Sequence, residues 1–461
     1  MKMIGAERRA AGALAGIYAL RMLGLFLVLP VLALAARDIP GATPALIGLA
    51  VGIYGLTQAA LQIPFGLASD RLGRKRVIAF GLVIFALGSV LAALADSMVW
   101  LIVGRALQGA GAIAAALMAL AADLTRDEVR GRTMAIIGVA IGASFSLALM
   151  LGPLLHAGLD LAALFWVAAG LAGLALILLF TIVPTPKAAA SSAGTTRADL
   201  RMVLANRDLL RLDGGIFVLH LVMTGTFVAV PLALSGAGFG AASQWQVYLP
   251  VFLGSVALMA PLLMAGERYR RTRLTFLASI VLVALGQSAL GAAGGAWPML
   301  ALGLLVFFVG FNLLEATLPA LISRTAPSAH KGAAMGAYSA SQFLGAFAGG
   351  VLAGVLDGIG GPPIVFAAMA ALAALWLLAA LPMRIPDAAV SYVVSLEGVR
   401  GPGADNAARD LSDLPGVEEA VVIEEEGVAY LRVDQRRFRE ADLQRAGYEA
   451  AEEAAPAGGV Q

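Results

Sequence analysis

The 461-residue chain contains no cysteine, which excludes disulfides, thiolate chemistry and cysteine-ligated metal sites. Charge is the second scarcity: 13% of residues are Asp, Glu, Lys or Arg, against roughly 25% in soluble domains. What abounds is apolar, with 60% hydrophobic residues, 54 glycines and a mean hydropathy of +0.87. No soluble core uses that much apolar surface. A soluble enzyme, a disordered tail protein and a fibrous protein are excluded, and a polytopic helical membrane protein is implied.

The formal charge of +2 conceals two regions. Residues 1–386 carry 25 Lys+Arg and 14 Asp+Glu, or +11, whereas residues 387–461 carry 7 and 16, or −9. The first region reads as membrane with basic loops and the second as a small acidic soluble appendix. The basic residues flank apolar helices instead of interleaving with aromatics on a soluble face, so no nucleic-acid partner is expected.

Segments long enough to cross about 30 Å of hydrocarbon run over 11–36, 44–68, 77–95, 98–122, 132–155 and 161–183, then 211–234, 245–265, 274–294, 297–322, 332–357 and 362–383. The expected fold is all-α, with twelve transmembrane helices in two six-helix halves, 1–183 and 211–386. A cytoplasmic linker at 184–210 joins them, and a domain at 387–461 follows. Of the 25 basic residues before 387, Arg21 and Arg105 lie within spans and Arg37 alone falls in outer-side loops; the other 22 lie on the side of the N-terminus. Basic residues stay on the cytoplasmic side, which puts both termini there. A shift of 197 residues lays Pro64, Asp70, Arg71, Arg74 and Arg76 on Pro261, Glu267, Arg268, Arg271 and Arg273. That internal repeat points to two pseudo-symmetric halves around a central cleft.

The loop after the second span reads Gly66-Leu-Ala-Ser-Asp70-Arg71-Leu-Gly73-Arg74-Lys75-Arg76. It resembles the signature of the major facilitator superfamily, G-x-x-x-D-R-x-G-R-[KR]-[KR], at every defined position. The resemblance implies an ionic cluster of Asp70, Arg74 and Asp123 that closes the cytoplasmic mouth, with Gly66 and Gly73 permitting close approach and a tight turn. Gly104-Arg105-Ala-Leu-Gln108-Gly109 is similar to the family's fourth-helix motif with its buried arginine. The run from Gly142 to Gly152-Pro153 looks like part of its antiporter motif. His156-Ala157 stands where two further glycines usually follow, so dense helix packing is as good a reading of Gly152 and Pro153 as export.

Ionisable residues inside spans are costly and are functional candidates by default. Arg21 lies about ten residues into the first span, and Glu315 is the one carboxylate well inside a span, in Asn312-Leu-Leu-Glu315-Ala-Thr-Leu-Pro319. Asn312 and Glu315, three apart, share a helix face. A glutamate exposed alternately to each side could load and release a proton. His220, seven residues beyond Asp213 on the seventh span, is a candidate relay, and Arg105 a candidate cleft residue. His156 reads as a solvated rim residue.

The tail reads strand 391–396, helix 404–414, strands 417–423 and 428–433, and a short helix near 438–446. That order suggests a ferredoxin-like βαββαβ module, with a last strand somewhere in 449–461. Together with Lys331-Gly332-Ala-Ala-Met335-Gly336-Ala-Tyr338-Ser339-Ala-Ser-Gln342 and Gly427-Val-Ala-Tyr430-Leu-Arg-Val433-Asp434, it resembles the YajR-type efflux proteins, major facilitators with a cytoplasmic ferredoxin-like YAM domain. The resemblance implies a secondary active transporter, not an enzyme, working by alternating access in the plasma (inner) membrane. Its partners would be the lipid bilayer, protons and a small, partly apolar substrate to be exported. Uptake by proton symport, or a non-transporting sensor with the tail as output, are the alternatives. No cofactor or metal is expected, since the tail has neither CxxC nor a histidine cluster. Its acidic surface could dock on the basic inner loops or simply be solvated.

Overall fold

The computed structural model describes residues 3–184, 197–269, 271–327, 330–383, 390–396, 402–423, 427–433 and 438–450. The first crossing is built from α1 (Gly5–Phe26) and α2 (Leu29–Ala35). They part just before Pro30, whose ring would clash with the carbonyl four residues earlier and which has no N–H to give. Then come α3 (Pro44–Leu72) and α4 (Arg74–Ala93), joined at Gly73, whose φ of 96° a side-chained residue rarely adopts. The fourth crossing, expected as one helix, is two: α5 (Met98–Ala110) and α6 (Ala114–Asp123). Helices α7 (Asp127–Gly158) and α8 (Leu161–Thr181) complete the first half.

Within the expected linker the chain forms α9 (Arg197–Ala205), and α10 (Arg207–Gly236) follows after one residue. The second half continues with α11 (Trp245–Arg268), α12 (Thr272–Gly291), α13 (Trp297–Thr325) and α14 (Lys331–Ala380). At 50 residues α14 is too long for one crossing. It reverses at Gly360 and Gly361, the latter with φ of 70°, just ahead of Pro362 and Pro363. Among the described residues, the eleven long apolar segments therefore make twelve crossings.

The halves meet along α3 and α14. A Cβ on Gly48 would strike the Gly350 carbonyl oxygen and the Gly354 Cα; one on Gly52 or Gly55 would strike the Phe347 or Phe343 carbonyl. Glycine is required there because two backbones run in contact, the arrangement small residues permit in membranes. Phe145 of α7 makes the other seam, its ring 6.0 Å from Phe227, 5.1 Å from Phe252 and 6.3 Å from Phe308.

By its contacts the chain separates into two units, residues 1–263 with 275–383, and 264–274 with 384–461. In the second unit β1 (Val390–Ser395), α15 (Pro402–Ser412), β2 (Val417–Ile423), β3 (Val428–Val433), α16 (Glu440–Arg445) and β4 (Glu449–Ala450) follow in that order. Its sheet runs β2-β3-β1-β4, all neighbours antiparallel, the split arrangement expected of βαββαβ. Val394, Leu396, Leu411, Ala429, Leu431, Val433 and Leu443 form its core. The final strand is the two-residue β4; residues 451–461 lie outside the described residues, as do 424–426 of the hairpin turn.

Candidate functional site

In the first half the break in the fourth crossing creates an acceptor. With the ladder interrupted between α5 and α6, the Gly111 carbonyl takes only a short-range bond from the Ile113 N–H at 2.9 Å and also accepts from Arg21 Nη2 at 3.0 Å. The same nitrogen donates to Tyr54 Oη and Gln58 Oε1, both at 2.9 Å, and Gln58 Nε2 donates onward to Gln62 at 2.8 Å. Arg21 is 1% exposed, and its Nε and Nη1 have no hydrogen-bond partner among the described residues. The guanidinium also lies 5.7 Å from the centre of the Phe85 ring, a cation–π contact.

Arg105 is equally enclosed. It donates from Nε to the Ala50 carbonyl at 3.2 Å and from Nη1 to Gln108 Oε1 at 2.8 Å, and its Cζ lies 5.4 Å from the Tyr54 ring centre. Gln108 Nε2 in turn donates to Ser89. Both arginines are thus held by neutral dipoles and rings, and no ion pair joins either to Glu315 among the described residues.

The second half gathers its ionisable groups on three helices. His220 Nε2 of α10 lies 3.3 Å from Glu315 Oε1 of α13 and 2.8 Å from Gln342 Nε2 of α14. The Glu315 oxygen sits within ion-pair reach but makes no aligned hydrogen bond. About a third of the Glu315 side chain is accessible, against 9% for His220. Below them, toward the ends carrying the basic loops, Asp213 and Tyr338 are buried, and the Asp213 Oδ1 and Tyr338 Oη have no partner among the described residues. At 1.5 Å per residue, Asp213 and Tyr338 stand about 10 Å inside their helix ends, Glu315 about 15 Å and His220 about 20 Å. Asn312, on the same face as Glu315, turns to α11 instead and donates to Ser255 Oγ at 3.0 Å.

At the basic-loop end, Arg74 pairs with Asp70 and, through Nε, with Asp123 Oδ2 at 3.0 Å; its Nη1 donates to Ser69 Oγ at 2.7 Å. Lys75 caps α8 by donating to the Val183 carbonyl at 2.6 Å. The cluster ties α3, α4 and α6 together, all within the first half, while Arg71 is exposed. A Cβ built on Gly66 would lie 3.5 Å from the Cβ of Ala115 of α6, an ordinary contact. At the other end, Gly152 fits against the Leu27 carbonyl and Pro30, where a Cβ has no room, so Gly152-Pro153 seats α7 on the break between α1 and α2. His156 lies near that end and is partly exposed.

Tyr54 and Gln58 escape sequence reasoning, and Gln108, Tyr338 and Gln342 enter it only as parts of family-like motifs with no role of their own, yet these five make up most of the polar network. Their signal was available: an amide or phenol inside a span needs a partner there as a charge does. Which charge each serves follows only from helix packing.

Residues 14–265 and 212–399 match the Major Facilitator Superfamily. The chain is 44% identical over 452 residues to the inner membrane transport protein YajR of Escherichia coli K12, covering 96% of this chain and 98% of that one. It is 28% identical over 338 residues to the multidrug resistance protein MdtH of Aeromonas hydrophila, covering 73% and 84%. Among solved structures, a point mutant of the nucleoside transporter NupG shares the fold with a TM-score of 0.68 at 14% identity, over 81% of this chain and 99% of that one. With its loop signature, its twelve crossings and these likenesses, the chain belongs to the major facilitator superfamily.

Proposed function

We propose that the protein is a proton-coupled secondary transporter of the inner membrane that exports small, partly apolar molecules by alternating access, with both termini cytoplasmic. The observation that carries this reading is the Glu315–His220–Gln342 group, mid-bundle on three helices. Glutamate and histidine can exchange a proton, and a change of charge at mid-membrane alters the energy of the surrounding helices by several kcal/mol. Asp213 and Tyr338 extend the group toward the basic loops and form the proton's inner route. Arg21, with Gln58 and Tyr54, supplies a fixed positive charge on the facing half, and Arg105 holds α5 against α3 beside it. The Phe145 ring cluster offers an apolar surface for substrate. Asp70, Arg74 and Asp123 act at the cytoplasmic mouth, with Gly66, Arg71 and Gly73 shaping the loop. The names of YajR and MdtH, a transport and a multidrug resistance protein, favour transport and export.

Thermal-shift screening of the purified protein against drug and metabolite panels supplies a ligand. Flux of that ligand is then followed in right-side-out and inverted proteoliposomes with an imposed pH gradient. Gradient-driven flux with the polarity of export is expected, and Glu315→Gln should remove the gradient dependence. Full gradient-driven flux by that variant would falsify the coupling role, and flux of opposite polarity would assign uptake.

A further inference from the structure

Arg37 is the lone basic residue in the loops that the charge count places outside, and the positive-inside trend gives no reason for a cation there. The structure supplies one. Arg37 Nη2 lies 3.1 Å from Asp357 Oδ2, an ion pair between residues 320 apart that links the loop after α2 in the first half to α14 in the second. The pair sits at the Pro44 end of α3, about 40 Å of helix from Asp70, and so at the opposite end of the bundle from the Arg74 cluster. There α3 and α14 are in backbone contact, with Gly354 against the Pro44 carbonyl and Gly48 against Gly350.

The pair is lopsided: the Asp357 side chain is 6% exposed and the Arg37 side chain 48%. Asp357 Oδ1 has no partner among the described residues, which leaves Arg37 as the cation that compensates this carboxylate. Beside the pair lies a cavity of about 480 Å³ lined by Arg37, Thr43, Pro44, Asp357 and Pro362, among others, so solvent has access to the arginine side. A nearly buried carboxylate is tolerable while its cation is in place and costly once it is not. Parting the helices would instead hydrate both groups.

We propose that Arg37 and Asp357 form an electrostatic lock that holds the outer end of the two halves closed and must break each time that end opens. The lock works in series with the glycine seam. The seam provides shape but no directional bond, and the ion pair adds a charge-dependent bias toward the closed arrangement. The Arg74 cluster stays inside one half, whereas this pair spans both, so its rupture reports directly on separation of the halves.

The proposal rests on the alternating-access reading only in requiring that this end opens at all. The natural absence of cysteine makes the test direct. Ala45→Cys and Ile359→Cys, both at exposed positions on opposite halves, carry spin labels for pulsed dipolar distance measurements in nanodiscs. A short and a long distance are expected in the otherwise unaltered protein. Arg37→Gln and Asp357→Asn should each lower the short-to-long ratio about threefold, the size a half-exposed ion pair carries. High salt should mimic them, and the exchange Arg37→Asp with Asp357→Arg should restore the ratio. If two distances are present but neither neutral variant moves their ratio, or if the exchanged pair behaves like the single variants, the lock is overturned. A single short distance in every variant and salt condition would overturn alternating access itself.

Discussion

Deep in the first half of the bundle the buried charges are Arg21 and Arg105, and their partners are neutral: a hydroxyl, amides, carbonyls and aromatic faces; a buried carboxylate, Glu7, sits instead in the first turn of α1, paired with Arg126. In the second half the buried groups are carboxyls and an imidazole, and several oxygens there lack partners among the described residues. The difference follows from chemistry. An arginine in a protein keeps its proton, so its surroundings must satisfy a constant charge in every conformation, and dipoles and rings on the same half do so. A carboxyl or an imidazole can change charge, and a loosely satisfied site tolerates both forms. One half thus holds fixed cations in its interior, the other side chains whose chemistry permits a change of charge.

Substitution can break this contrast. The largest effect is expected from Arg105→Ala, which removes a donor from the Ala50 carbonyl and from Gln108 Oε1 and leaves a cavity beneath Tyr54; a loss of about 3 kcal/mol should appear as a lower melting temperature and poor recovery of monodisperse protein. Next is Gly48→Val, whose side chain would push against the Gly350 backbone. Forcing volume into such a contact costs about 1–3 kcal/mol and should favour the long distance between labels at 45 and 359. Glu315→Gln should change stability by less than about 1 kcal/mol, because a neutral isostere retains shape in a site already loosely bonded. If it destabilises the bundle as much as Arg105→Ala, the distinction between fixed and titrating halves is lost. The smallest effect belongs to Asp70→Asn, where a partly exposed pair is worth about 1 kcal/mol or less. Melting should barely move, while cysteine probes at the basic-loop end of the bundle become more reactive; unchanged labelling would separate the Arg74 cluster from any gating role.

Much of the architecture was legible in the residues. Twelve crossings follow from apolar length, including the two that α14 joins, because Gly360-Gly361-Pro362-Pro363 announces a reversal between them. The interruption of the fourth crossing at Gly111 was not legible: Ala, Gly and Ile in an apolar run look like any membrane helix. The helix in the expected linker was masked by the Pro/Ala/Ser-rich composition preceding it. Of the site, Arg21, Arg105, His220 and Glu315 stood out because charge is rare in lipid. Their partners did not, since Tyr54, Gln58 and Gln342 are ordinary residues until packing turns them toward a charge.

Composition and spacing by themselves determined that the chain spans a membrane many times, at which ends of the crossings its basic loops lie, and which few ionisable groups lie within them. Hydrocarbon imposes those answers on every residue separately, whatever its neighbours. Apart from the Asp70, Arg74 and Asp123 cluster, which the family resemblance implies, which charges meet was decided by the tertiary structure. Asp357 reaches Arg37 across 320 residues, whereas Arg21 and Glu315, the two charges the sequence made most conspicuous, form no pair. Pairing depends on helix rotation and on where backbones can touch, and glycines such as Gly48 and Gly350 settle that only when both helices are present.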